Sequence, residues 1–442
     1  MRVLLTTWGS RGDVEPLAGL ASRLLELGAE VRVCAPPDEE FVELLARVGV
    51  PLTPLGPSVR SVVNGAKPPS AARAFELAPE LVAARYETLT KAAEGCDVLL
   101  ATGLMPAGAR SVAEKLGIRY VLACFHTAGL PSSKYPPLSR PGHASSPEET
   151  DIKALWEQDA QRVNALYGEA ENRHRAEIGL PPVENVRDYV FTDRPWLAAD
   201  PVLFPWQDHT DLDVVVTGPW ILPDERPLPA DLETFLDAGE EPVYVGFGSM
   251  ALRTSPDLAR LAIEAVRAQG RRVLLARGWA DLAAIDDRDD CFVVGEVNQQ
   301  ALFRRVAAVM HHGGAGTTTT AALAGVPQLV VPQIADQPYW AAGVADLGIG
   351  VAHAGPTPTY DSLTAALTTV LDPGTRARAR ALSADGTIRT DGTTVAAKML
   401  LDTVSEERPV HARVNRPDTE HETRTHRSAR PAASDRRTEL MP

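Results

Sequence analysis

With 442 residues, 44% of them apolar and 23% charged, the chain has room for two globular domains that need neither disulfides nor a structural metal. Its formal charge of 44 − 58 = −14 argues against a general nucleic-acid binder, and no apolar run reaches the ~20 residues of a membrane span. The apolar stretch 3–5, soon followed by Arg11 and Asp13, is no signal peptide, and four separated cysteines (Cys34, Cys96, Cys124, Cys291) read as free thiols of a cytoplasmic protein without a zinc site.

Residues 3–7 form an apolar strand and 8–13 a loop. A helix at 14–27 has Leu17, Leu20, Leu24 and Leu27 at helical spacing and Gly28 past its end. A strand at 30–35 and a helix at 41–48, stopped by Gly49, follow. This βαβα order calls for a parallel sheet with helical crossovers. Strand 97–101, helix 107–116 and strand 119–123 continue it. Residues 127–150, rich in Pro, Ser and Gly, read as a long loop of the functional or disordered kind. Helical pattern resumes from 151 to 178.

Residues 217–230 hold four prolines and read as a linker. Alternation then restarts, with strands at 242–247, 272–276, 291–294, 307–311 and 327–331. Helices at 255–269, 300–306, 316–324, 337–347 and 361–371 accompany them. The expected fold class is α/β: two Rossmann-like, doubly wound domains facing across a cleft, where the carboxyl ends of the strands hold ligands. Residues 408–442 carry eight Arg, five acidic residues and three His, a net of +3, which leaves −17 on residues 1–407. So polar a segment cannot offset its ordering entropy by burial and reads as a disordered tail. Its removal is expected to leave Tm and turnover within error, as a melting curve and an assay of the truncated chain will check.

Three motifs carry chemistry. His311-His312-Gly313-Gly314-Ala315-Gly316-Thr317 follows one strand and opens a helix. Its glycines let a ligand approach the backbone, and the helix N-terminus presents free N–H groups to a phosphate. The alternative is a plain glycine turn with a core histidine. Some twenty residues on, Asp336-Gln337-Pro338 could hydrogen-bond vicinal sugar hydroxyls, or Asp336 could simply cap a helix. In Gly9-Ser10-Arg11-Gly12-Asp13, Ser10 and Arg11 could meet an anion across the cleft, and Asp13 could be a general base or only a helix N-terminal charge. Gly246-Phe247-Gly248-Ser249-Met250-Ala251 fits G-x-G-x-x-A, but its second strand ends in Arg277-Gly278-Trp279 without the acidic residue of an NAD site, which leaves only an Arg for the 2′-phosphate of NADP.

Taken together, GSRGDVEP (9–16), YVGFGSM (244–250), ARGWADL (276–282), GEVNQQALF (295–303), HHGGAGTTTT (311–320) and ADQPYW (335–340) resemble the bacterial antibiotic glycosyltransferases of the GT-B fold. The likeness is closest to the vancomycin-group glycopeptide glycosyltransferases, whose linker and late segment are echoed at 210–228 and 386–392. It covers residues 1–407 and implies an acceptor-binding domain at 1–216, a linker at 217–230 and a donor domain at 231–385. A final helix at 386–407 would cross back to the first domain, and the tail 408–442 lies outside the likeness.

The resemblance further implies an inverting, metal-independent transfer from a dTDP-sugar, or a UDP-sugar, to a hydroxyl of an antibiotic aglycone. A phenol of a vancomycin-type glycopeptide is the expected acceptor, with a polyketide as an alternative. A sugar-nucleotide epimerase and a non-catalytic auxiliary protein are the other classes. His311, His312 and the amides of Gly313, Gly314, Ala315, Gly316 and Thr317 would meet the diphosphate, with Ser249, Ser10, Arg11 and Gly12 completing the pocket. The backbone of Glu296 and Val297 would face the base, Asp336 and Gln337 the sugar, and Asp13 would be the catalytic base. The segment 126–137, from His126 to Pro137, is expected to line the acceptor pocket. The implied protein is a cytoplasmic monomer with no metal and no cofactor beyond its donor substrate.

Overall fold

The computed structural model describes residues 1–65, 71–138, 150–206, 212–250 and 257–406. The first half builds a seven-stranded parallel sheet from β1 (Arg2–Trp8), β2 (Glu30–Ala35), β3 (Leu52–Pro54), β4 (Val98–Gly103), β5 (Arg119–Cys124), β6 (Trp196–Leu197) and β7 (Val215–Val216). Their spatial order is β3-β2-β1-β4-β5-β6-β7. The second half builds a six-stranded parallel sheet from β8 (Val243–Gly246), β9 (Val273–Ala276), β10 (Cys291–Val294), β11 (Ala308–His311), β12 (Gln328–Val330) and β13 (Gly350–Ala352), in the order β10-β9-β8-β11-β12-β13. In each sheet the winding reverses beside the first strand, between β1 and β4 and between β8 and β11. Crevices at such reversals hold ligands in open α/β sheets. The loops of residues 9–10, 247–250 and 312–314 all leave strands at these points.

The central strands are buried on both faces, which is why Val3-Leu4-Leu5 and Val98-Leu99-Leu100 read as continuous apolar runs. The structure adds elements that the pattern did not reveal. A helix at Ala71–Ala92 buries Leu77, Leu81, Val82, Tyr86 and Leu89 at three-to-four-residue spacing. The strands β3, β6, β7 and β13 have only two or three residues each, too few for periodicity to register. The expected helix 151–178 is one rod with a π-turn at Asn164–Gly168 between Ile152–Val163 and Glu169–Glu177. The expected helix 255–269 is seen as Leu258–Ala268, its first residues lying outside those described.

The connection after β7 is pinned rather than loose. Asn298 Nδ2 donates to the carbonyls of Asp224 and Arg226, both at 2.8 Å, and Gln300 Nε2 to that of Leu222 at 2.8 Å. The helix Gly392–Glu406 returns to the first half, burying Ala396, Ala397 and Leu400 in its core. It starts against the connection so closely that a Cβ on Gly392 would lie 2.2 Å from the Pro219 carbonyl oxygen. Gly392→Ala is therefore expected to cost about 1–3 kcal/mol by overpacking, lowering Tm by several degrees in a thermal melt. Among the described residues no helix is long and apolar enough to cross a membrane. The four cysteines are free.

Candidate active site

β11 delivers His311 and His312 to the cleft, and the two residues part company there. His311 is fully buried; its Nε2 pairs with Gln328 Oε1 at 2.9 Å and its Nδ1 accepts the Gly313 N–H at 3.1 Å. Burial, reinforced by the neighbouring His312, pushes its pKa down to about 3. Both ring nitrogens are spent on the fold, so His311 holds the loop from below and has no polar atom left for a ligand. This corrects its expected place among the diphosphate contacts.

His312 is the free one. Its Nδ1 is buried with no hydrogen-bond partner among the described residues. Its ring fits between two glycines: a Cβ on Gly314 would lie 2.6 Å from Nε2, and one on Gly248 3.3 Å from Cε1. Burial, opposed by the charge of Asp336, lowers its pKa to about 4, so the ring is neutral at pH 7. Gly313 sits at φ +92°, which only glycine adopts without strain. The helix Ala315–Ala324 then begins with Gly314 as N-cap and no capping side chain, so its first N–H groups stay free. Ser249 stands half-buried at the corresponding reversal after β8.

The loop before the helix Gln337–Asp346 is wound tightly. Ala335 has φ +57°, and Gln337 Oε1 accepts the N–H groups of Gln333 and Ile334 at 2.7 and 3.0 Å. Gln337 Nε2 donates to Met250 Sδ at 3.4 Å. Asp336 receives the Trp340 indole N–H on Oδ2 at 2.8 Å, and its Oδ1 has no hydrogen bond among the described residues. Thus Gln337 already spends its carbonyl on the loop, while Asp336 carries charge into the cleft.

From the opposite sheet, the first helix begins at Arg11, earlier than its apolar spacing suggested, with Ser10 as N-cap. This places Asp13 in its first turn, where Oδ2 accepts the Ser10 N–H at 2.9 Å. A Cβ on Gly9 would lie 2.1 Å from that oxygen, so the glycine is what allows the carboxylate to lie there. Burial raises the Asp13 pKa to about 7, the Ser10 N–H opposing and the charge of Asp336 adding. Burial also pushes the Cys124 thiol up to about 12, helped by Asp13 and then Asp336. Asp13, Cys124, Asp336 and His312 therefore form one electrostatic neighbourhood drawn from both sheets.

Arg11 does meet an anion from the other half, but the anion is Glu296. Its guanidinium lies 2.7 Å from Glu296 and 2.6 Å from Glu15. Arg47 and Arg226 approach the same Glu296 carboxylate at 3.2 and 3.0 Å. Burial raises the Glu296 pKa, but the Arg11 hydrogen bond and the three positive charges outweigh it and hold the group at about 2. Sequence reading assigned only the backbone of Glu296 and Val297 and missed this hub. It also missed Trp279, whose side chain is buried in the core of the first sheet and donates to Glu40 at 2.7 Å. Both follow from packing between halves, which no local pattern encodes.

On the acceptor side, His126 has a buried Nδ1 without a partner among the described residues. Tyr135 packs edge-on against Tyr339 of the second half, ring centres 5.6 Å apart. The segment from His126 to Pro137 thus spans from the end of β5 to the helix Gln337–Asp346, and residues 139–149 lie outside those described.

Residues 273–401 match the family described as the C-terminal domain of erythromycin biosynthesis protein CIII-like proteins. The chain is 58% identical over 412 residues to the glycosyltransferase GtfE of Amycolatopsis orientalis, covering 92% of this chain and 99% of that protein. It is 56% identical over 411 residues to the vancomycin aglycone glucosyltransferase of the same organism, with the same coverage of 92% and 99%. The dTDP-epi-vancosaminyltransferase of that organism is 54% identical over 417 residues, again at 92% and 99%. Among solved structures, the kitacinnamycin glycosyltransferase superposes with a TM-score of 0.68 at 20% identity, covering 91% of this chain and 99% of that one. The glycosyltransferase VinC, in complex with dTDP, does so at 0.61 and 20%, covering 92% and 100%. With two parallel sheets arranged as in these structures and more than half its residues shared with its relatives over nearly their full length, the chain belongs to the vancomycin-group glycopeptide glycosyltransferases of the GT-B fold.

Proposed function

We propose that the chain transfers a sugar from a dTDP-sugar to a phenolic hydroxyl of a vancomycin-type glycopeptide aglycone, with inversion and without a metal. The observation that carries this reading is that Asp13 from the first sheet and His312 from the second both feel the charge of Asp336, with the uncapped helix N-terminus beyond Gly314 beside His312. Ionised Asp13 accepts the proton of the attacking hydroxyl. The oxygen bonds to the anomeric carbon on the face opposite the diphosphate while the bond to the diphosphate breaks, through an oxocarbenium-like state. Charge grows on the β-phosphate, where the amides of residues 315–317 and the His312 N–H stabilise it; preorganised dipoles count most there. Ser249, Ser10 and Gly12 complete the phosphate pocket while Arg11 stays paired with Glu296 and Glu15, the Glu296–Val297 backbone faces the base, and Asp336 holds sugar hydroxyls. Gln337 supports that loop beside it.

The same reading assigns acceptor binding to residues 1–216, donor binding to 231–385 and the return crossing to 386–407 in a cytoplasmic monomer. Support for the acceptor and donor comes from relatives whose names specify a vancomycin aglycone glucosyltransferase and a dTDP-epi-vancosaminyltransferase. The test is incubation of the enzyme with dTDP-glucose or UDP-glucose and a glycopeptide aglycone in EDTA. The expected product is the aglycone plus one hexose by mass, with the anomeric configuration inverted by NMR. Epimerised sugar nucleotide without acceptor, or transfer to a polyketide alone, would overturn the assignment.

A further inference from the structure

The two helices that present Asp13 and the phosphate-facing amides both run away from the cleft to a common destination. The far half of Arg11–Glu26 and the far end of Ala315–Ala324 line a cavity of about 460 Å³. Its other walls are the connection at Ile221 and Pro223 and the start of the returning helix at Thr390, Thr393 and Thr394. The cavity thus sits on both crossings between the halves, roughly 15 Å along the first helix from Asp13 at 1.5 Å per residue. Its volume is that of a small-molecule site.

The lining has the chemistry of an anion receptor. Arg23 keeps a buried Nε with no partner among the described residues, while its other arm lies 2.6 Å from Glu26. Arg304 pairs with no carboxylate among the described residues. Against these two cations the lining holds one acid, Glu26, and so is net positive in a protein of −14. Nearby Asp391 is tied to Arg389 at 3.0 Å. Thr320, Thr390, Thr393 and Thr394 add hydroxyl-bearing side chains to the same lining. Guanidinium forks with hydroxyl donors suit a phosphoryl group.

We propose that this hinge cavity binds a phosphoryl group, as free phosphate or as the monoester of a small metabolite, and that occupancy restrains the angle between the two halves. Because the walls come from both halves, a bound ligand opposes the opening that releases products. Turnover and the KM for donor fall together, and kcat/KM stays constant. The inference is independent of which donor fills the cleft.

The experiment is calorimetry with inorganic phosphate and, separately, glucose 1-phosphate, on enzyme saturated with dTDP so that the donor site is filled. One additional site is expected. Binding by both probes assigns recognition to the phosphoryl group, and tighter binding of glucose 1-phosphate assigns the natural ligand to a monoester. Arg304→Ala, at an exposed residue, should keep the wild-type Tm and weaken this site about tenfold or more, the loss of one charge-assisted contact; Thr393→Val is the second variant. Glucose 1-phosphate should lower kcat in the wild type and not in Arg304→Ala. Absence of a further site, or affinity indifferent to both substitutions, overturns the proposal. Should dTDP itself not bind, the donor assignment fails, and the Arg304 dependence of phosphate binding still decides the hinge site.

Discussion

Asp13→Asn is expected to lower turnover by about 10²–10⁴-fold, the usual worth of a general base, while dTDP affinity stays within a few-fold. Asparagine keeps the acceptor for the Ser10 N–H and removes only the proton-accepting charge. The wild-type rate should rise with pH through about 7, because the carboxylate must be ionised to act and burial holds its pKa there. That limb should vanish in the variant. Stability should move the other way. A carboxyl whose folded pKa is raised above the unfolded value of about 3.9 favours the fold below that value and loses this as pH rises through about 7. Asp13→Asn should therefore raise Tm at pH 8 more than at pH 5. A carboxylate serving only as a favourable helix N-terminal charge would show the reverse, a loss of stability of about 0.3–1 kcal/mol. Full turnover in the variant would remove Asp13 from the chemistry.

His312→Ala is expected to weaken dTDP about 10–150-fold, the worth of one hydrogen bond to a charged group, as calorimetry will measure. The ring is neutral at pH 7, its Nδ1 is unpartnered, and two glycines make room for it, so it is placed but not consumed by the fold. Turnover should fall as well, since the leaving diphosphate gains charge in the transition state. Asp13→Asn and His312→Ala thus separate cleanly: the first spares donor affinity and the second does not. Unchanged dTDP affinity would make His312 a packing residue, and equal or tighter UDP binding would end the preference for thymidine nucleotides.

The contrast between His311 and His312 marks where local pattern stops being informative. Adjacent in the same glycine motif, they look equivalent in one dimension. Only the partner strand decides that Gln328, seventeen residues on, absorbs the first ring and leaves the second free. Likewise, Asp13 and Asp336 each had two readings from their own surroundings. The influence of Asp336 on Asp13, on His312 and, with Asp13, on Cys124 exists only because the two sheets face each other.

What the sequence determined by itself was whatever has a short period or a steric rule. Apolar runs and helical spacing set the βα alternation, and glycines after β1, β8 and β11 marked the turns that let ligands approach. The resemblance of six motifs supplied the family. Tertiary structure decided the rest: the two- and three-residue strands at the sheet edges, the start of the first helix at Arg11, and the Gln337 clamp on its own loop. It also decided the Glu296 hub with Arg11, Arg47 and Arg226, and the insertion of Trp279 into the opposite core. The physical reason is range. Propensity and periodicity act over a few residues, whereas burial, charge pairing and pKa depend on neighbours brought together across hundreds of residues of chain.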